Sequence, residues 1–151
     1  SAIEYTADQG GKTLLPLPAH GRAVDFYLFL TVHCAEIPIY VDKEILDYIK
    51  ILSARPDWAK PFSFIEEGDN IHIIRTDDER QALCRNQESA IILARNGNLT
   101  APSGLFYYER LKGDRRNRVI ITGYAAPTRR PVTSSMKNTA NGTILIYKRK
   151  K

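Results

Sequence analysis

Thr76-Asp77-Asp78-Glu79 is the tightest local constraint in this sequence. A threonine side chain can accept from the backbone N–H three residues on, and a glutamate there can reach back, so these residues open a helix. Asp77 and Asp78 place negative charge where a helix start is positive. The helix is expected to end near Gln87, and Ala90-Ile91-Ile92-Leu93-Ala94 then reads as a strand entering a hairpin at Asn96-Gly97. A second helix opens at Asp42, a favourable N-cap residue. Ile45, Leu46, Ile49 and Leu52 fall on one stripe of it, and it must stop before Pro56.

The other apolar residues come in short runs. Residues 24–33 are aromatic and β-branched and read as a buried strand. Residues 37–41 read as an edge strand, because Pro38 cannot donate to a ladder. Residues 63–65 and 71–75 suggest a hairpin, and residues 105–111 and 118–124 another, turning at 113–117. Residues 143–148 form a closing strand. The two glycines and two prolines at Gly10, Gly11, Pro16 and Pro18 mark residues 1–21 as an extended N-terminal segment. Residues 125–142 are poor in apolar side chains and read as a long loop. The expected fold is therefore a single α+β domain with a mainly antiparallel sheet and two helices.

A chain of 151 residues can bury a sufficient core without disulfides or metal. Its longest apolar run, Phe26-Tyr27-Leu28-Phe29-Leu30, is far short of the roughly 18 residues that cross a bilayer. Cys34 and Cys84 do not make a disulfide framework. These features place the expected protein in the cytoplasm, away from membranes.

Charge is distributed unevenly. Residues 110–151 hold twelve lysines and arginines against one acid, Asp114, for a net +11 within a chain of net +5. Such a split points to a basic surface facing an anionic partner. Arginine forks grip phosphate oxygens in pairs, and exposed aromatic rings stack bases. The expected function is therefore DNA or RNA binding through a basic, aromatic C-terminal β region. Arg110, Lys112, Arg115, Arg116, Arg118, Arg129, Arg130, Lys148 and Arg149 are the candidate phosphate contacts, and Tyr108, Tyr124 and Tyr147 the candidate stacking groups.

Other chemistries are less well supported. Gly11-Lys12-Thr13 resembles the end of a phosphate-binding loop, but the first glycine of that pattern is replaced by Thr6 and Pro16 and Pro18 forbid the helix that must follow. No metal-ligand spacing is present, and no cofactor is expected. A metal-independent ribonuclease would use His20, the one histidine in a glycine-flanked loop, as its acid or base, with arginines stabilising the transition state. An acidic protein partner is the remaining alternative, and either a monomer or a homodimer suits the pattern.

Overall fold

Two central strands of the protein are buried along almost their whole length, and this decides the architecture. In the computed structural model, which describes residues 2–17, 22–55, 57, 68–95, 102–123, 134–139 and 142–148, β1 (Lys12–Leu17) is buried at every position and β4 (Ala90–Arg95) at all but the last. Continuous burial, with no alternation of polar and apolar residues, belongs to a sheet covered on both faces. The remaining elements are α1 (Ala2–Asp8), α2 (Arg22–His33), β2 (Ile39–Asp42), α3 (Lys43–Ser53), β3 (Ile71–Ile74), α4 (Asp77–Arg85), α5 (Pro102–Leu111), β5 (Arg118–Gly123), β6 (Ser134–Thr139) and β7 (Gly142–Lys148).

The seven strands form one sheet in the order β3-β2-β4-β1-β5-β7-β6. Five neighbouring pairs are parallel and only β6–β7 is antiparallel. The expected α+β fold with a mainly antiparallel sheet and two helices is thus corrected to an α/β fold with five helices among the described residues. Alternate strand residues face opposite layers. Leu15, Leu17, Val41, Ile91 and Leu93 meet Tyr27 and Leu30 of α2 and Ile45, Leu46 and Ile49 of α3. Leu14, Ile74, Ile92, Ala94 and Val119 meet Leu83 of α4 and Tyr107 and Leu111 of α5 on the other side.

Two segments expected as strands are helices, for a common reason. In α2, Val24, Tyr27 and Leu30 are buried, as is Cys34 just past its end, while Asp25, Phe29 and Val32 are exposed, which is a helical spacing. In α5, Tyr107 and Leu111 are buried at i and i+4, whereas Leu105 and Glu109, which a strand would place on the same face, are exposed. Pro102 suits its place as the first residue of α5, where no N–H is needed. Residues 113–117 therefore join a helix to a strand and are not a hairpin turn. Other differences are smaller. Residues 2–8 are helical, and β6 lies inside the expected 125–142 loop. β2 is an interior strand; Pro38 precedes it, and its carbonyl accepts from Ile91 N–H at 2.8 Å. β4 pairs in parallel with β1 and β2, so it is not one arm of a hairpin; Asn96, Gly97 and residues 63–65 lie outside the described residues.

The helix signals hold. Thr76 Oγ1 accepts from Glu79 N–H at 3.2 Å, and Glu79 Oε2 accepts from Thr76 N–H at 3.1 Å, completing the capping box of α4. α3 begins directly after Asp42 and buries Ile45, Leu46 and Ile49. Gly11 owes its place to packing. A Cβ there would lie 2.0 Å from the carbonyl oxygen of Arg116. Among the described residues, no helix is long and apolar enough to cross a membrane.

Candidate functional site

In an open parallel sheet, ligands gather beyond the carboxyl ends of the strands, where neighbouring connections leave on opposite faces. Here that place lies between β1 and β4. The chain leaves β1 toward α2 on one face and leaves β4 toward α5 on the other. Leu17 and Arg95 are register partners at the ends of these two strands. On its other side, β1 pairs with β5 only at Thr13 and Leu14, although β5 runs on to Gly123. Pro16, which has no N–H to give, lies just past the point where that ladder stops.

Asp42 is the polar hub of this rim. It ends β2 and is fully buried. Its Oδ1 accepts from Arg80 Nε at 3.2 Å and faces Arg80 Nη2 at 3.2 Å. Its Oδ2 accepts from the Arg95 backbone N–H at 3.0 Å and from the Ser103 hydroxyl. One carboxylate thus ties the ends of β2 and β4 to α4 and to the first turn of α5. Burial pushes its pKa above the usual carboxylate range, against the pull of Ser103, Arg95 N–H and Arg80. Arg80 is itself buried; desolvation works against its charge, but Asp42 and Asp77 (2.8 Å from Nη1) outweigh it and raise its pKa. Tyr107 lies in the same layer, fully buried, and its hydroxyl makes no hydrogen bond. Burial, with Asp42 adding to it, raises its pKa. Asp42 was expected only as the N-cap of α3. Its backbone takes that role, but its side chain makes no cap bond. Arg80 and Ser103 carried no signal in the sequence, because 38 and 61 residues separate them from Asp42.

Three exposed cations lie at the strand ends next to this hub. Arg75 directly follows β3, Lys43 directly follows β2, and Arg95 ends β4; all three are exposed. Lys43 is paired with Asp47 at 2.7 Å. Lys148 ends β7 beside Gly123 of β5, on the same edge of the sheet.

The residues expected as one basic patch fall into separate places. Arg115 and Arg116 precede β5 and Arg118 begins it, so they lie at the edge opposite Lys148, about 16 Å away along a six-residue strand. Several are engaged locally. Arg116 Nη2 meets Asp114 at 2.7 Å, Lys112 Nζ meets Glu109 at 2.7 Å, and the Arg110 guanidinium lies 3.4 Å from the centre of the Phe106 ring. Arg118 covers the Tyr5 ring at 4.9 Å. Arg115 is exposed. Tyr108, on α5 and half-buried, has Lys112 Nζ 6.0 Å from its ring centre. Tyr147 belongs to β7. His20, Tyr124, Arg129, Arg130 and Arg149 lie outside the described residues.

Lys12, from the phosphate-loop-like triplet, has a structural partner. Its Nζ donates to the Asn86 carbonyl at 2.7 Å, and burial lowers its pKa. Among the described residues, no group of three or more His, Cys, Asp or Glu side chains converges to hold a metal. His33 is exposed and packs on Phe29 at 4.4 Å, while its neighbour Cys34 is buried.

Fold and site together define a mainly parallel α/β domain with a buried carboxylate hub and exposed cations at the carboxyl ends of its strands. The Beta-Casp domain pattern matches residues 28–130, and the chain belongs to that family. Transcription termination factor FttA of Pyrococcus horikoshii is 31% identical over 137 residues, covering 82% of this chain and 21% of that protein. The FttA of Methanocaldococcus jannaschii is 29% identical over 137 residues. An RNase J-like protein of the same archaeon is 30% identical over 132 residues, covering 82% of this chain and 31% of that protein. The chain therefore spans about a fifth of the FttA relatives' length.

Proposed function

We propose that this Beta-Casp domain grips nucleic acid, RNA in the first place, as part of an RNA-processing or transcription-termination factor. The relatives' names, a termination factor and an RNase J-like protein, supply the class. The observation that carries the reading is the exposed Arg95 at the end of β4, the register partner of Leu17 at the end of β1. A phosphate backbone laid along the carboxyl edge would meet Arg75 and Arg95 in turn, with the Asp42 hub holding the β2 and β4 ends in position. Arg115, Arg116 and Arg118 would then form a second, separate contact on the far edge.

The test is fluorescence anisotropy with labelled single- and double-stranded RNA and DNA. Arg75→Ala with Arg95→Ala should weaken binding about tenfold or more across sequences and flatten the salt dependence. Full affinity with an unchanged salt slope would remove the rim from the interface. If no probe binds, the acidic-protein alternative gains. Probe cleavage in EDTA that disappears in His20→Ala would favour the metal-independent ribonuclease.

A further inference from the structure

The edge of the sheet formed by the strand starts carries, besides Arg115, Arg116 and Arg118, an acidic surface around the end of α2. One hollow of about 370 Å³ lies between α1 and the end of α2, and a second of about 210 Å³ lies between α2 and the start of β3. Ala35 lines both, so the two hollows adjoin and are taken together as one grooved surface. Glu4, Asp8 and Glu36 line the first and Asp69 the second, and among the described residues no lysine or arginine lines either. The base that reaches α1, Arg118, sits over Tyr5 and is not part of the lining.

An apolar step borders the first hollow. Val32, which lines it, is 73% exposed, and one turn earlier on α2 Phe29, outside the lining, is 54% exposed with its ring on His33, which lines the hollow. Helix residues three apart share a face, so Phe29 and Val32 form a continuous apolar step beside the acids. Acids rule out a polyanion here, because like charges repel. Apolar exposure of this kind, set within one sign of charge, suits a ligand with both features.

We propose that this groove docks a lysine- or arginine-bearing amphipathic segment of a partner protein, its apolar side chains on Phe29 and Val32 and its cations on Asp8, Glu36 and Asp69. The carboxyl edge of the sheet stays open when the groove is filled, so nucleic acid and partner would bind together. The inference does not depend on the nucleic-acid reading.

The probe is a fluorescein-labelled peptide of about twelve residues built from alternating Leu-Leu and Lys-Lys pairs, with anisotropy read at ~0.1 M salt. The intact chain should bind it. Asp8→Lys with Glu36→Lys should weaken binding at least about tenfold, and Val32→Ser about threefold. These positions are exposed, so the fold is kept; Asp8→Asn with Glu36→Gln repeats the test with charge alone removed. All variants should keep the parent's affinity for an oligouridylate, which separates failure here from failure of the rim. Peptide affinity within twofold of the parent in every variant would overturn the proposal. So would equal binding of an all-lysine peptide, or displacement of the probe by oligouridylate.

Discussion

Asp42 and Arg80, 38 residues apart, meet at 3.2 Å with both side chains out of water. The pair closes the end of β2 onto α4, and Arg95 N–H and Ser103 complete the carboxylate's coordination. Removing one member of a buried pair costs more than the pair contributes, because the other charge is left behind. Arg80→Met should therefore destabilise the protein by about 3–5 kcal/mol in urea denaturation. Arg80→Met with Asp42→Asn should cost less than the single substitutions summed, since no buried charge remains uncompensated. A strictly additive double variant would show that the pair is not coupled.

The same pair gives a pH dependence. Burial already holds the Asp42 pKa above its ordinary value, and loss of Arg80 raises it further. A carboxyl with a raised native pKa takes up its proton first in the folded state, so folding gains as pH falls through that value. The stability deficit of Arg80→Met should accordingly shrink between pH 7 and the ordinary carboxylate range near about 4. Urea midpoints measured across that range check it; a deficit that grows on acidification contradicts the assignment.

Glu79 acts with the opposite sign. N–H donation from Arg75 at 2.6 Å, and then from Thr76, holds its carboxyl below the ordinary range. Its contribution is complete above the unfolded value near about 4.3 and disappears as pH falls through the lower native value. Glu79→Gln should flatten the loss of Tm between about pH 5 and 3. Thr76→Ala should cost about 1 kcal/mol at neutral pH.

The capping box was legible because all its parts lie within four residues. The stripe of α3 was legible because Ile45, Leu46 and Ile49 repeat at the helical spacing. By composition α2 resembles a strand through its aromatic and β-branched residues and α5 through its aromatics, although Val24, Tyr27 and Leu30 keep the helical period. The antiparallel expectation follows from reading α5 as a strand. With α5 taken as a strand, residues 113–117 became a hairpin turn and β5 an antiparallel return. The site was less legible still. Asp42 satisfied a local rule as an N-cap, and nothing near it in sequence indicated Arg80 or Ser103. The basic third was visible as charge, but charge alone does not reveal that Arg115 and Lys148 lie at opposite ends of adjacent parallel strands.

Gly11 gives a test of packing independent of charge. A Cβ at Gly11 would lie 2.0 Å from Arg116 O and 2.6 Å from Arg116 C, both backbone atoms that cannot rotate away. At Gly113, a Cβ would meet nothing within 4 Å. Gly11→Ala should force the start of β1 away from the segment before β5 and cost about 1–3 kcal/mol or more, as overpacking does. Gly113→Ala should change stability by no more than about 0.5 kcal/mol, as at most open surface sites. The strain at Gly11 also bears on the far edge, because the same shift would move Arg115 and Arg116. Gly11→Ala should therefore disturb any nucleic-acid contact made by those arginines while leaving Arg95, at the other end of the sheet, in place. Comparing its salt slope with that of Arg115→Ala combined with Arg116→Ala separates the two edges. Equal slopes in both variants and in the parent would mean that the far edge takes no part in binding.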